Sequence, residues 1–224
     1  ELAAIEPLAK GGPIHIHVAE QTKEVEDSLA FSGARPVEWL LENAPVDERW
    51  CLIHATHMTE AETRRMAKSG AVAGLCPITE ANLGDGIFPA PDSIAEGGHY
   101  GVGSDSNILI SLPEELRTLE YSQRLTRRAR NVIADAGGST GEKLFRQALA
   151  GGGRALASQN AIEKGKSADL VALDVSAVSY LPASQILDQW IFAGGVHVDS
   201  VWVRGEIQVQ AGRHIRRRAV SERF

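Results

Sequence analysis

"PIHIHVAE", Pro13 to Glu20, holds two patterns at once. Apolar residues alternate with histidines at the period of a β-strand, so His15 and His17 share one face while Ile14, Ile16 and Val18 share the other. His17 stands nearer the end of the run, and Glu20, three residues on, can reach the same space as a base. Such a pair is usually structural when it stands alone, so the rest of the chain must decide.

Working outward, "RWCLIHA" (49–55), "GAVAGLCP" (70–77) and "HYGVGSD" (99–105) are three more short runs with strand character. Helices are expected between and beyond them, at about 21–31, 36–43, 59–69 and 113–130. "TEAE" (Thr59 to Glu62) and "SLPE" (Ser111 to Glu114) have the hydroxyl-to-glutamate spacing of a capping box, and Gly70 stands where a left-handed C-terminal cap belongs. Strands that alternate with helices imply parallel β-α units, whose strand C-terminal ends carry the chemistry. Those ends hold His17 and Glu20, then His54 and His57, then Asp105 in "GVGSDS". Strict alternation places His54 on the same face as Trp50 and Leu52.

After about residue 140 the pattern changes. The helix "GEKLFRQALAGGGRALA" leads to a strand in "SADLVALDV" (167–175), a helical "SQILDQW", and "DSVWVRGEIQVQAGRH" (199–214), read as two strands about a turn at Arg204-Gly205. Two domains are therefore expected, 1–160 and 161–224. "AGGGRA" lacks both the preceding strand and the spacing of a dinucleotide fingerprint. "GKS" (165–167) fails as a phosphate loop, since Asn160 stands where the first glycine is needed and a strand follows instead of a helix.

The 224 residues are 43% hydrophobic and 23% charged with a net charge of −6, the profile of an ordinary globular protein. General nucleic-acid binders are basic, so that class is set aside, and the arginines of "RLTRRARN" (124–131) and of the tail "RHIRRRAVSERF" read as a solvated helix face and a frayed end. No apolar run approaches a membrane span and no signal pattern opens the chain, so the expected location is cytoplasmic. Cys51 and Cys76 do not make a disulfide framework and are expected to be reduced, buried and inert. The opening "ELAAIEPLAKGG" lacks a methionine and reads as the end of a helix, the pattern expected of a chain that has lost its beginning.

Imidazoles and carboxylates gathered at strand ends suit zinc, and a carboxylate beside a metal-bound water suits proton transfer. In that order and spacing, "HIHVAE", "LIHATHM", "LCPITEANLGDGIFP" and "GVGSDSN" resemble the amidohydrolase superfamily. "HVAE" with "GSDS" marks the superfamily and is shared with guanine and chlorotriazine-type hydrolases. "CPITEANLGDGIFP" with "LEYSQRL" resembles its branch of deiminases acting on a formimino group. "GKSADLVALD" and "VWVRGEIQVQAGRH" look like the superfamily's C-terminal return to a small β-sandwich.

The resemblance implies an α/β chain covering strands five to eight of a TIM (β/α)8 barrel with their helices, followed by strands of the sandwich. It also implies a hydrolase with one zinc per active site. The reaction would take N-formimino-L-glutamate to N-formyl-L-glutamate and ammonia, a step of histidine degradation. Carried over by motif, His17 is a zinc ligand, Glu20 the proton shuttle, and His54 the histidine that polarises or orients the attacking water. Asp105 is a zinc ligand that also takes a proton from that water. His15 and His57 gain no role beyond packing and support.

One departure stands out. The superfamily has a further H-x-H pair on its first strand that supplies two metal ligands, and this chain has none upstream of His15. "HIH" is not that pair, because the glutamate after His17 fits the fifth strand and only about four β-α units follow. The expectation is an N-terminally truncated fragment. Its partners would be a small-molecule substrate and, where missing strands must be supplied, a second copy in a homodimer or an N-terminal chain. The competing readings are a guanine, cytosine or chlorotriazine-type hydrolase and an inactive structural half.

Overall fold

The structure is a computed structural model that describes residues 2–159 and 161–224. Glu1 and Asn160 lie outside the described residues, and with Asn160 so does the expected domain boundary. The chain forms two compact units, Glu1–Ser158 and Gln159–Phe224.

The first unit opens with α1 (Leu2–Ile5) and one 3-10 turn, followed by β1 (Ile14–Val18), α2 (Thr22–Ser32), α3 (Pro36–Asn43) and β2 (Trp50–His54). Then come α4 (Glu60–Ser69), β3 (Val72–Leu75), α5 (Pro77–Leu83), α6 (Ala90–Ala95), β4 (His99–Val102), α7 (Leu112–Arg127) and α8 (Thr140–Ala155). The four strands form one sheet in the order β1-β2-β3-β4, every pair parallel. The C-terminal strand ends therefore all lie along one edge, which is what gathers the polar residues.

Register sets the two faces. Ile14 pairs with Trp50 and Ile16 with Leu52, and Trp50 and Leu52 are wholly buried. His15 and His17, on the other face, are exposed. Each large apolar side chain fully withdrawn from water contributes about 1.5–3 kcal/mol, so Trp50, Leu52, Leu75 and Tyr100 weld the sheet to its helices. His54 corrects the expected alternation. It takes a left-handed backbone at φ 66°, Ala55 follows at φ 48°, and the His54 ring lies 5.5 Å from that of His17.

Helix boundaries follow their caps. Thr59 accepts from the Glu62 amide at 3.2 Å while Glu62 accepts from the Thr59 amide at 2.7 Å, and Gly70 ends α4 at φ 83°. The expected box at Ser111 does not form. The Ser111 hydroxyl makes no cap bond from its extended backbone, and Glu114 turns to Arg117 at 3.0 Å instead. α7 stops at Arg127 because Arg128 is left-handed, at φ 52°. α5 and α6 were not expected, since at 7 and 6 residues they are too short for helical periodicity to show.

The glycines of "AGGGRA" belong to α8. A Cβ on Gly151 would stand 1.9 Å from the Tyr100 carbonyl oxygen, so the helix meets β4 backbone to backbone.

The second unit contains β5 (Leu170–Asp174), α9 (Ile186–Phe192), β6 (His197–Val203), β7 (Glu206–Gln210), β8 (Arg213–His214) and α10 (Arg217–Ser221). Its sheet is antiparallel in the order β5-β6-β7-β8. Arg204 and Gly205, at φ 51° and 79°, make the expected turn with the two left-handed residues that suit strand twist. The second strand expected from that run is broken by another left-handed pair, Ala211 and Gly212, at φ 48° and 68°.

Candidate active site

The ends of β1, β2 and β4 bring Glu20, His54 and Asp105 together. His54 is 1% exposed, and its Nε2 stands 3.6 Å from Glu20 Oε1 and 3.8 Å from Asp105 Oδ2. His17 brings its ring to the same place, tilted 43° to that of His54. His15 lies apart, with Nε2 2.7 Å from the Ala155 carbonyl oxygen at the end of α8. His57 Nε2 donates to the Asp85 carbonyl at 2.7 Å.

Backbone bonds hold these loops in register. Ala55 donates to the Val18 carbonyl at 3.1 Å and His57 to that of Ala19 at 3.0 Å, so the loop after β2 is tied to the end of β1. Arg35 bonds the His57 carbonyl at 2.7 Å while its Nε meets Glu62 at 2.8 Å, which explains why Glu62 can be buried. Ala19, His54, Ala55 and Asp105 are all left-handed without being glycine, at φ 54°, 66°, 48° and 52°. Such conformations cost about 1–3 kcal/mol each and persist only where surrounding contacts over-determine them.

Hydrogen bonds hold the Asp105 and Glu80 carboxylates and the backbone beneath Glu20. Asp105 Oδ1 accepts from the Ser106 amide at 2.6 Å, leaving Oδ2 to face His54. Glu24 accepts from the Ala19 and Glu20 amides at 2.7 and 2.9 Å, fixing the backbone that carries the Glu20 carboxylate. Glu80 Oε1 lies 3.3 Å from His54 Nδ1. Sequence reasoning missed Glu24 and Glu80. Glu24 is three residues after Gln21, the spacing of an N-terminal helix cap, whereas no sequence signal says that Glu80 meets His54.

Burial lifts the Glu20 carboxyl above its ordinary range; His54 and His17 oppose this, and the Asp85 and Asp105 carboxylates reinforce it. Burial pulls His54 toward its neutral form, but the bond to Glu80 and the charges of Glu20, Glu80 and Asp105 outweigh it and leave the ring above its usual value. Burial pushes Cys51 to about 11 and, with nearby carboxylates, Cys76 to about 12, so both stay as thiols.

A cation fits the chemistry of this cluster. Among the described residues His54 Nε2 is buried without a hydrogen-bond partner, Asp105 Oδ2 faces it, and the imidazole of His17 is alongside, the nitrogen and oxygen donor types that zinc takes. One ligand atom each from His54, Cys76 and Asp105 lies within 4.8 Å of the others. Cys76, expected from the sequence to be buried and inert, thus lies beside the cluster in space. Among the described residues no helix is long and apolar enough to cross a membrane.

The model of the amidohydrolase family matches residues 5–208. Formimidoylglutamate deiminase of Pseudomonas aeruginosa is 52% identical over 208 residues, which are 90% of this chain and 46% of that protein. A crystal structure of an amidohydrolase from Brucella melitensis superposes with a TM-score of 0.96 at 56% identity, over 100% of this chain and 50% of that one. An adenosine deaminase from Xanthomonas campestris with bound zinc superposes at 0.86 with 28% identity, over 98% and 51%. The chain spans about half the length of the curated relatives it matches.

Proposed function

This chain belongs to the amidohydrolase family, and from that premise we propose that it carries the proton-transfer half of a zinc-dependent enzyme that deiminates N-formimino-L-glutamate. The observation that carries the reading is the approach of Glu20 and Asp105 to the buried, unpartnered Nε2 of His54. The 52% identity to a formimidoylglutamate deiminase supports this substrate over a purine, whose deaminases are about 28% identical. We read the four parallel strands as strands five to eight of a TIM barrel, and the antiparallel unit as part of its small sandwich domain. The reaction would belong to histidine degradation.

His17 and Asp105 would hold the zinc, with further ligands from an H-x-H pair outside these residues. When bound, it would supply a water acidified to a pKa of about 7. His54 Nε2, at the centre of the carboxylates, would orient the attacking water toward the formimino carbon. Asp105 Oδ2, the oxygen not engaged by Ser106, accepts its proton. Burial raises the Glu20 carboxyl from its ordinary value, the direction that suits a group that delivers a proton to the departing nitrogen. Water adds to the carbon of the C=N bond, its two protons pass by way of Asp105 and Glu20 to the terminal nitrogen, the bond to that nitrogen breaks, and ammonia leaves the N-formyl product.

The test is ammonia release by the 224-residue chain with stoichiometric zinc, on N-formimino-L-glutamate and on guanine. Release from the formimino compound, lowered about 10²–10⁴-fold by Glu20→Gln with zinc retained, is expected. Release from guanine alone would replace the substrate assignment. One observation favours a second reading, an inactive half: among the described residues β1 and β4 each pair on one side only. Silence on both substrates, relieved by adding the upstream segment of a relative, would establish it.

A further inference from the structure

We infer that Glu80 is a positioning residue that keeps a proton on Nδ1 of His54, so that Nε2 is the ring nitrogen presented to the reaction space. The inference rests on the role proposed above for His54 and concerns a residue not among those assigned to the chemistry.

Glu80 is 5% exposed and lies in the first turn of α5, which starts at Pro77 directly after the end of β3. Its carboxylate is fixed independently of His54. Oε1 accepts from the Cys76 amide at 2.9 Å, and the Glu80 amide donates to the Cys76 carbonyl at 2.9 Å. The same Oε1 is 3.3 Å from His54 Nδ1. An ionised carboxylate only accepts hydrogen bonds, so this contact is favourable only if Nδ1 carries the hydrogen.

On the opposite edge of the ring, Nε2 faces Glu20 and Asp105, two more carboxylates that would also draw a proton. The imidazole is thus contested from both sides. Glu80 is the nearest of the three to a ring nitrogen, and its backbone and carboxylate are both tied down. A partner that fixes one nitrogen fixes both the tautomer and the ring flip, which decides what the other nitrogen can do. Capping α5 alone would not require Glu80 to touch His54.

The experiment is long-range proton–nitrogen NMR on the full chain labelled with 15N-histidine, His54 being assigned by its loss in His54→Gln. It is read without substrate or metal, so its failure is separable from failure of the proposed reaction. The wild-type chain should show a protonated, pyrrole-like Nδ1. Glu80→Gln, which keeps an acceptor oxygen but loses the charge, should leave the proton on Nδ1 with its N–H resonance shifted upfield. Glu80→Met, of similar length and without an acceptor, should move the proton to Nε2. A wild-type spectrum with the proton on Nε2 alone overturns the inference, whether or not Glu80→Met folds. A Glu80→Met spectrum identical to wild type, or a Glu80→Gln N–H resonance that does not move, overturns it equally.

Discussion

Gly151 and Gly152 are adjacent in α8, yet alanine at the two positions should act in opposite directions. At Gly152 a Cβ meets nothing within 4 Å, so Gly152→Ala collects the ordinary helix gain of about 0.5–1 kcal/mol. At Gly151 the same atom stands 1.9 Å from the Tyr100 carbonyl oxygen, where ordinary contact begins at 3.4 Å. The obstacle is strand backbone and cannot rotate aside. α8 would have to withdraw by about 1.5 Å from β4, opening contacts along Leu144 and Ala148, both buried. Overpacking of this kind costs about 1–3 kcal/mol, and with no flexible neighbour to yield the upper end applies, leaving a net loss of roughly 2 kcal/mol after the helix gain. Urea titration followed by far-UV circular dichroism, compared at equal m values, should separate the two variants by about 3 kcal/mol. Equal shifts in the same direction would show that α8 does not touch β4 as described.

Glu115 is 2% exposed, its Oε2 accepts from the Ile78 amide at 2.8 Å, and its Oε1 has no hydrogen-bond partner among the described residues. Burial pushes its carboxyl up to about 7 from 4.5, so its protonated form is favoured by folding. That contribution is complete below about pH 4.5, is lost as pH rises to about 7, and amounts to about 3 kcal/mol at most. Glu115→Gln should remove this decline; urea midpoints that fall with pH as steeply in the variant as in wild type would refute the assignment. Thr59→Ala should cost about 1 kcal/mol through the lost cap, whereas Ser111→Ala should stay within about 0.5 kcal/mol, and thermal unfolding of the pair would expose an error in either. Asp105→Asn should weaken zinc binding by at least about tenfold in calorimetric titration, and an unchanged affinity would remove Asp105 from the ligand set.

Strand runs were legible because apolar alternation and short β-rich segments depend on local sequence, and β1 to β4 fall within the segments read that way. The capping box at Thr59 was legible for the same reason. Ser111 has the same spacing and no cap, because its outcome depends on where Arg117 draws Glu114. In the site, the polar residues at the strand ends could be read from order and spacing. The turn of His54 out of the Trp50 face could not, since a left-handed histidine and alanine in succession are imposed by the bonds from Ala55 and His57 to β1. Glu80 was invisible for a related reason, since it meets a ring 26 residues away chosen by tertiary contact, whereas Glu24 acts on amides four and five residues before it and had a local signal in its spacing from Gln21.

The left-handed alanines bear on how such a site can change over generations. Ala19 and Ala55 are both fully enclosed, and each occupies a backbone region closed to β-branched side chains. Almost any replacement there must overcome crowding and torsional cost together, whereas Glu20 and Asp105 are partly open and can be exchanged for amides with little disturbance of the chain. A saturation library scored for folding alone should therefore be most depleted at these two unreactive positions, more permissive at Glu20, and limited at Asp105 by its left-handed backbone without the crowding. A lineage could then vary its chemistry while its inert alanines stayed the same.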